Sequence, residues 1–208
     1  MYLSHPNNKL HQFFSLKPYQ GADPAAASFL FFGLDANYDP EIGDKACFSE
    51  VVSYLEDGVL YWKERGFHHP FRHPEYRGDG AYYHRRFAKI GFTKEHAELV
   101  SFVELVDVPT YGRSKLTIGD LNPSHIARLS DWVLKGKAAY IFIPSSVSRL
   151  LRKTQQFSWL PDKPIGRDGS LPVLFRSDHK VVYMPYHFSY YGNKDIELQL
   201  QDIGKLIS

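Results

Sequence analysis

This sequence predicts an α/β fold, a three-layer α/β/α sandwich around a central, mainly parallel sheet. Three observations carry that expectation. Residues 27–34 (ASFLFFGL) and 138–143 (AAYIFI) are nearly continuous apolar runs of strand length, the pattern of strands buried on both faces. Segments with apolar residues at helical spacing alternate with such runs along the chain. The 208 residues are 43% hydrophobic with 25 Lys+Arg against 23 Asp+Glu, too apolar and too evenly charged for a disordered chain. A chain of this size buries on the order of 70% of its unfolded surface in one core. No repeat or low-complexity tract divides it, so residues 1–208 read as one domain, with 1–24 as an N-terminal extension packed on it.

After the first strand, residues 49–65 carry Val51, Val52, Leu55, Val59, Leu60 and Trp62 at near-helical spacing, and Gly66 supplies a stop. A loop rich in Pro, His and Arg runs from Phe67 to about Gly80. A short helix is expected over 81–90 and a second buried strand over 99–106. Asn122-Pro123-Ser124 is a helix start, a capping side chain followed by proline at the first helical position. Ile126, Leu129, Trp132 and Val133 give that helix its buried side as far as 134. The strand at 138–143 leads into a helix at 145–153. Short strands are expected at 171–175 and 180–184, and an amphipathic helix at 195–207 closes the chain. An alternating α/β order collects chemistry in loops at the carboxyl ends of strands. Here those are the loops after Leu34, Val106, Ile143 and Met184.

The single cysteine, Cys47, excludes a disulfide framework, a Cys-ligated zinc and a four-cysteine iron–sulfur cluster. Residues 25–34 and 138–144 are the longest apolar stretches, well short of the ~20 residues a membrane helix needs. The N-terminal MYLSHPNNKLHQFFSLKPYQ has no basic start, apolar middle or small-residue cleavage site. A soluble, cytoplasmic monomer without a membrane partner is expected. A net charge of +2 neither requires nor excludes a polyanion. Locally, Lys63, Arg65, Arg72, Arg77, Arg85, Arg86, Lys89 and Lys94 alternate with Phe, Tyr and His, which suits either a nucleic-acid-facing surface or ordinary solvated charge.

The chemistry-bearing residues begin in Gly33-Leu34-Asp35-Ala36-Asn37-Tyr38-Asp39-Pro40, followed downstream by Ala46-Cys47-Phe48-Ser49. Phe102-Val103-Glu104-Leu105-Val106-Asp107-Val108-Pro109-Thr110 comes next, and Met184-Pro185-Tyr186-His187-Phe188-Ser189-Tyr190-Tyr191-Gly192 last. In this order the segments resemble the uracil-DNA glycosylase superfamily over roughly residues 25–207. Its Gly-x-Asp-Pro-Tyr loop, Cys-Phe-Ser segment, Thr-Asn-Leu-Val-x-x-Pro-Thr strand and His-Pro-Ser-Pro loop correspond to them. The resemblance implies Asp35 and His187 as catalytic residues and Phe48 as the ring that stacks on an extruded base. Glu104, Asn37 and Tyr38 would line the base pocket, and Ser189, Tyr190 and Tyr191 would contact DNA. No cofactor and no metal are implied.

Those residue types suit the reaction. Breaking an N-glycosidic bond separates a sugar cation from an anionic base, so the site must stabilise opposite charges on its two sides. A carboxylate such as Asp35 serves the cation and its water, while an imidazole such as His187 donates to the base as it gains charge. Unstacking the base costs a few kcal/mol, and an aromatic face returns about 1–3 kcal/mol. Tyr190 and Tyr191 can fill the gap left by the flipped nucleotide, and Ser189 can hold a phosphate.

The sequence also departs from the family. Glu104 stands where uracil-specific members carry asparagine; an ionised glutamate only accepts hydrogen bonds, so it suits an edge rich in N–H groups unless it is protonated. Asn37 replaces the tyrosine that rejects a 5-methyl group, with Tyr38 available one residue on. Both prolines of the last loop are absent. These departures leave open a nucleic-acid-binding module of the same fold without turnover. His68, His69, His73 and His84 invite a metal reading, but Pro70 and Pro74 argue against the helix that would pair His69 with His73, and a surface or phosphate-facing loop is expected there. Cys47 lies in the stacking segment and no Gly-x-Ser-x-Gly elbow is present, against a nucleophilic Ser/Cys enzyme.

Overall fold

In a computed structural model, residues 2–74, 76, 78, 80–112, 115–190 and 195–207 are described. The N-terminal segment forms β1 (Leu3–Ser4), α1 (Asn8–Leu16) and β2 (Tyr19–Gly21). Asn7 starts α1 by accepting hydrogen bonds from the Lys9 and Leu10 amides. Next comes β3 (Phe29–Gly33), five consecutive buried residues, then α2 (Phe48–Glu56), α3 (Gly58–Arg65) and α4 (Ala81–Phe87). The second half holds β4 (Val100–Glu104), β5 (Thr110–Tyr111), α5 (Pro123–Lys135), β6 (Tyr140–Phe142) and α6 (Ser145–Leu151). Strands β7 (Gly166–Asp168), β8 (Leu171–Arg176) and β9 (Val181–Tyr183) precede α7 (Asp195–Gly204).

A strand buried on both faces needs neighbours on both edges and layers above and below. β3 has them, pairing in parallel with β4 (Gly33 opposite Glu104) and with β6 (Phe31 opposite Phe142). The seven-stranded order is β2-β4-β3-β6-β9-β8-β7. The sheet is mixed: its centre is parallel as expected, β4, β3, β6 and β9 pairing in parallel, whereas β2–β4, β9–β8 and β8–β7 pair antiparallel, so β2 and β8 run against the other five strands. The reason is connection length: the links from β7 to β8 and from β8 to β9 are tight turns, which join antiparallel strands and cannot make a parallel crossover. The N-terminal stretch contributes to the same sheet, since β2 adds to the free edge of β4.

Alternate residues of each strand face opposite layers. Leu30, Phe32, Val103, Leu105, Ile141 and Val182 meet Ile126, Leu129 and Val133 of α5 and Val147 and Leu151 of α6. Phe29, Phe31, Phe102, Phe142 and Tyr183 meet Trp62 of α3, Phe87 of α4 and Ile196, Leu200 and Ile203 of α7. Helices therefore cover both sheet faces. Each fully buried aliphatic or aromatic side chain contributes roughly 1.5–3 kcal/mol of transfer free energy. A third cluster, with Leu10 and Phe14 of α1, Tyr38, Val51, Tyr54 and Leu55 of α2, and Phe71, lies beside the loops after β3.

The helix expected over 49–65 is two helices. Asp57 ends α2 in an extended conformation (φ −147°, ψ 94°), and its carboxylate accepts from the Val59 and Leu60 amides to start α3. Apolar spacing on either side of Asp57-Gly58 masked the break. Gly66 ends α3 at φ +76°, a left-handed position that favours glycine.

Candidate functional site

β3 stops at Gly33, and the chain that follows is laced to the chain leaving β4. Leu105 and Val106 amides donate to the Gly33 and Leu34 carbonyls, Thr110 N–H to Ala36, and Tyr38 N–H back to the Thr110 carbonyl. This lacing fixes Asp35, half-buried, and its carboxylate accepts from the Thr110 hydroxyl at 2.6 Å. Asn37 Nδ2 donates to the Gly112 carbonyl at 2.5 Å, while its Oδ1 is buried with no donor among the described residues. Tyr38 is buried and its hydroxyl likewise has no partner among the described residues; burial raises its pKa far above the usual phenol range.

Glu104 ends β4 directly beside Gly33, and its carboxyl fills the space that any side chain at 33 would occupy. Burial, and then the neighbouring Asp35 charge, hold its pKa well above the ordinary carboxylate range. His187 arrives on the loop after β9. The Ser189 amide donates to its Nδ1 at 3.3 Å, which places the imidazole proton on Nε2. Burial lowers its pKa against the opposing pull of Asp35, so the ring is neutral at neutral pH. Arg86 of α4 pins this loop by donating to the Phe188 carbonyl at 2.9 Å and to the Tyr190 carbonyl. From α7, Gln199 Oε1 accepts from the Tyr186 amide at 2.8 Å.

Asp35, Asn37, Tyr38, Glu104, His187 and Ser189 line one pocket of about 180 Å³ at the carboxyl ends of the central strands. The loops after Leu34 and Met184 thus build it, as the alternating order implies. Phe48 is a correction: it is the first residue of α2, packs half-buried against the third core cluster and does not line the pocket. Aromatic lining comes instead from Phe71, Tyr83 and Phe102. Tyr190 is 62% exposed outside the pocket, with its ring 6.5 Å from that of Tyr186. Tyr191 and Arg77 lie outside the described residues.

The far wall is made of histidines. His69 and His84 stack at 3.6 Å and 7°, and His68 Nε2 lies 3.0 Å from His84 Nδ1 in a hydrogen bond. The Phe71 amide donates to His69 Nδ1 at 3.2 Å, so His69 Nε2–H donates to Gln20 Oε1 at 3.1 Å. Burial lowers the pKa of all three rings, His84 down to about 3 with help from the Arg72 charge. They form a neutral packed array; among the described residues no three His, Cys, Asp or Glu side chains gather as a metal site would. Of the basic run at 63–94, Lys63, Arg65 and Lys89 pair with Glu98, Glu50 and Glu197 at the surface.

Sequence reasoning missed Gln20, Phe71, Tyr83 and Phe102 as pocket residues, and the surface or phosphate-facing loop expected at His68 and His69 is a further correction, because both rings are buried. Phe102 alone had a signal, its position two residues before Glu104 on the same face of a strand. Searches with this chain against protein-family models, curated proteins and solved structures find no match. Among the described residues, no helix is long and apolar enough to cross a membrane.

Proposed function

We propose that this protein is a DNA N-glycosylase of the uracil-DNA glycosylase type, with that superfamily's fold, hydrolysing the bond between deoxyribose and a flipped, damaged or deaminated base. One observation carries the proposal: loops from two different strands bring Asp35 and a neutral His187 with its proton on Nε2 into the same small pocket. Its volume lies below the roughly 300 Å³ at which drug-sized pockets begin, a scale that suits one base. Asp35, held by Thr110, stabilises the developing sugar cation and orients the attacking water. His187 Nε2–H donates to the base oxygen that gains charge as the bond breaks. Phe71, Tyr83 and Phe102 provide the aromatic walls assigned to Phe48 by the resemblance.

The test is base release from single- and double-stranded oligonucleotides carrying uracil, hypoxanthine, xanthine or alkylated bases. Asp35→Asn and His187→Ala should each lower release by about 10²–10³-fold, the magnitude typical of a lost charge-stabilising group. Release that survives both substitutions would overturn the assignment. DNA binding without release from any substrate would instead support a binding module of the same fold.

A further inference from the structure

Arg86 of α4 is a buried cation without a counter-ion. It is 8% exposed, lies outside the pocket lining, and among the described residues no carboxylate forms an ion pair with it. Taking a guanidinium out of water is costly unless its N–H groups find acceptors. Here they find two main-chain oxygens of one loop, the Phe188 carbonyl at 2.9 Å and the Tyr190 carbonyl, while the Tyr82 ring centre lies 4.3 Å from the guanidinium.

Peptide geometry decides what this contact reaches. The Phe188 carbonyl and the Ser189 amide belong to one planar trans peptide unit, whose C=O and N–H point in opposite directions. Arg86 holds the carbonyl end, and the amide end donates to His187 Nδ1 at 3.3 Å. A cation on the carbonyl oxygen draws electron density along the amide and makes its N–H a stronger donor, as linked hydrogen bonds do. A donor aimed at Nδ1 requires a lone pair there, which leaves the ring proton on Nε2.

Other groups surround His187. Asp35 and Tyr38 come from the loop after β3, Glu104 from the end of β4, His69 from the loop after α3, and Tyr83 and His84 from α4, with the Tyr83 ring 5.4 Å from the imidazole. Asp35 favours the imidazolium, and burial opposes it. From α7 the loop meets the uncharged Gln199, bonded to the Tyr186 amide. Among the described residues, Arg86 is the one permanent cation hydrogen-bonded to residues 185–190.

We propose that Arg86 is a positioning residue for His187, acting through the Phe188–Ser189 peptide to hold the imidazole as its Nε2–H tautomer. The inference rests on the glycosylase reading only for the use to which that proton is put; the relay is a property of the folded chain. Without the charge the Ser189 donor weakens, and Nδ1 takes a proton more readily, by exchange of tautomer or as imidazolium. Plain anchoring of the loop, which Gln199 supplies at Tyr186, has no such effect on the ring.

The experiment is nitrogen NMR of the full-length protein labelled at histidine, in which each ring nitrogen reports whether it carries a proton, followed from about pH 5 to about pH 8. His187→Ala identifies the His187 signals. Wild type should show Nε2 protonated and Nδ1 unprotonated at neutral pH. Arg86→Gln, which keeps a donor and removes the charge, should raise the proton affinity of His187 about tenfold, a shift of about one pH unit, and bring a protonated Nδ1 into the spectrum. Arg86→Lys, which keeps the charge, should stay within about threefold of wild type. Ser189→Pro deletes the amide hydrogen, leaves Arg86 in place and should shift His187 in the same direction, so it carries the test even where Arg86→Gln does not fold. Gln199→Ala frees the loop at Tyr186 and should leave the tautomer unchanged. A wild-type ring protonated at Nδ1, an unchanged ring in folded Arg86→Gln or in Ser189→Pro, or a Gln199→Ala spectrum like that of Arg86→Gln would overturn the proposal. Base release measured in parallel keeps the two readings apart: the relay seen in the spectra without excision of any base removes only the glycosylase, and excision with an unresponsive His187 removes only the relay.

Discussion

The two faces of the central sheet are drawn from alternate residues of the same strands and end differently. Toward α5 and α6 the filling is largely aliphatic, with Leu30, Val103, Leu105, Ile141 and Val182 in contact with Leu129 and Val133. Toward α3, α4 and α7 it is aromatic, with Phe31 stacked 4.5 Å from Phe142, and Phe102 in both core and pocket. Branched aliphatic chains interlock and leave little that a ligand could use. Flat rings, by contrast, serve as core wall on one side and stacking surface on the other. The aromatic face also carries the buried imidazoles of His68, His69 and His84, whose pKa values burial lowers, and Glu104, whose pKa burial raises. One face maintains the fold, and the other couples the fold to the site.

The largest effect that tests this division comes from truncating one residue of each face. Phe102→Ala should cost about 3–5 kcal/mol in denaturant unfolding and also weaken base binding. Leu129→Ala should cost about 2–5 kcal/mol while leaving binding per folded molecule unchanged. If Leu129→Ala altered binding as much as Phe102→Ala, the division between the faces would be lost.

Acid should distinguish the faces next. The three buried imidazoles have pKa values lowered in the fold, so below the ordinary pH of about 6.5 the unfolded chain binds more protons than the native one. Stability should therefore fall as pH drops through that window, by up to about 1.4 kcal/mol per pH unit for each histidine. Glu104 has the opposite sign: its raised pKa costs stability as pH rises above the ordinary carboxyl value, and Glu104→Gln should remove that loss. Urea midpoints measured against pH should change shape in His84→Phe and Glu104→Gln, whereas Leu129→Ala should only lower the curve.

The smallest expected effect is at the hinge between α2 and α3, away from both faces. Asp57→Ala should cost about 0.5–2 kcal/mol by leaving two amides uncapped, without altering base binding. A larger loss accompanied by weaker binding would mean that the helix break itself helps position the pocket.

Much of this architecture was legible where local signals sufficed. The apolar runs at 27–34 and 138–143 contain β3 and β6, the Asn122-Pro123 start opens α5, and Asp35, Glu104 and His187 do reach one pocket from strand ends. Signals of long range were not legible. Gln20 matters because a three-residue strand adds to β4 some eighty positions away, and three residues of YQG carry no period. Phe48 was misplaced because a spacing along the chain fixes neither the turn of a helix nor the face it presents. The histidine loop reads as surface in one dimension; only its stacking and its bonds to Gln20 and Phe71 show that His69 packs inward.

The contact between Gly33 and Glu104 has a consequence for how such a chain can diverge. Because the carboxyl occupies the volume of an absent side chain, a methyl group at residue 33 would oblige the end of the Glu104 side chain to swing aside. Shortening residue 104 would release that restriction. A side chain at residue 33 is therefore expected to re-aim the carboxyl of residue 104 within the pocket, although 71 positions separate them.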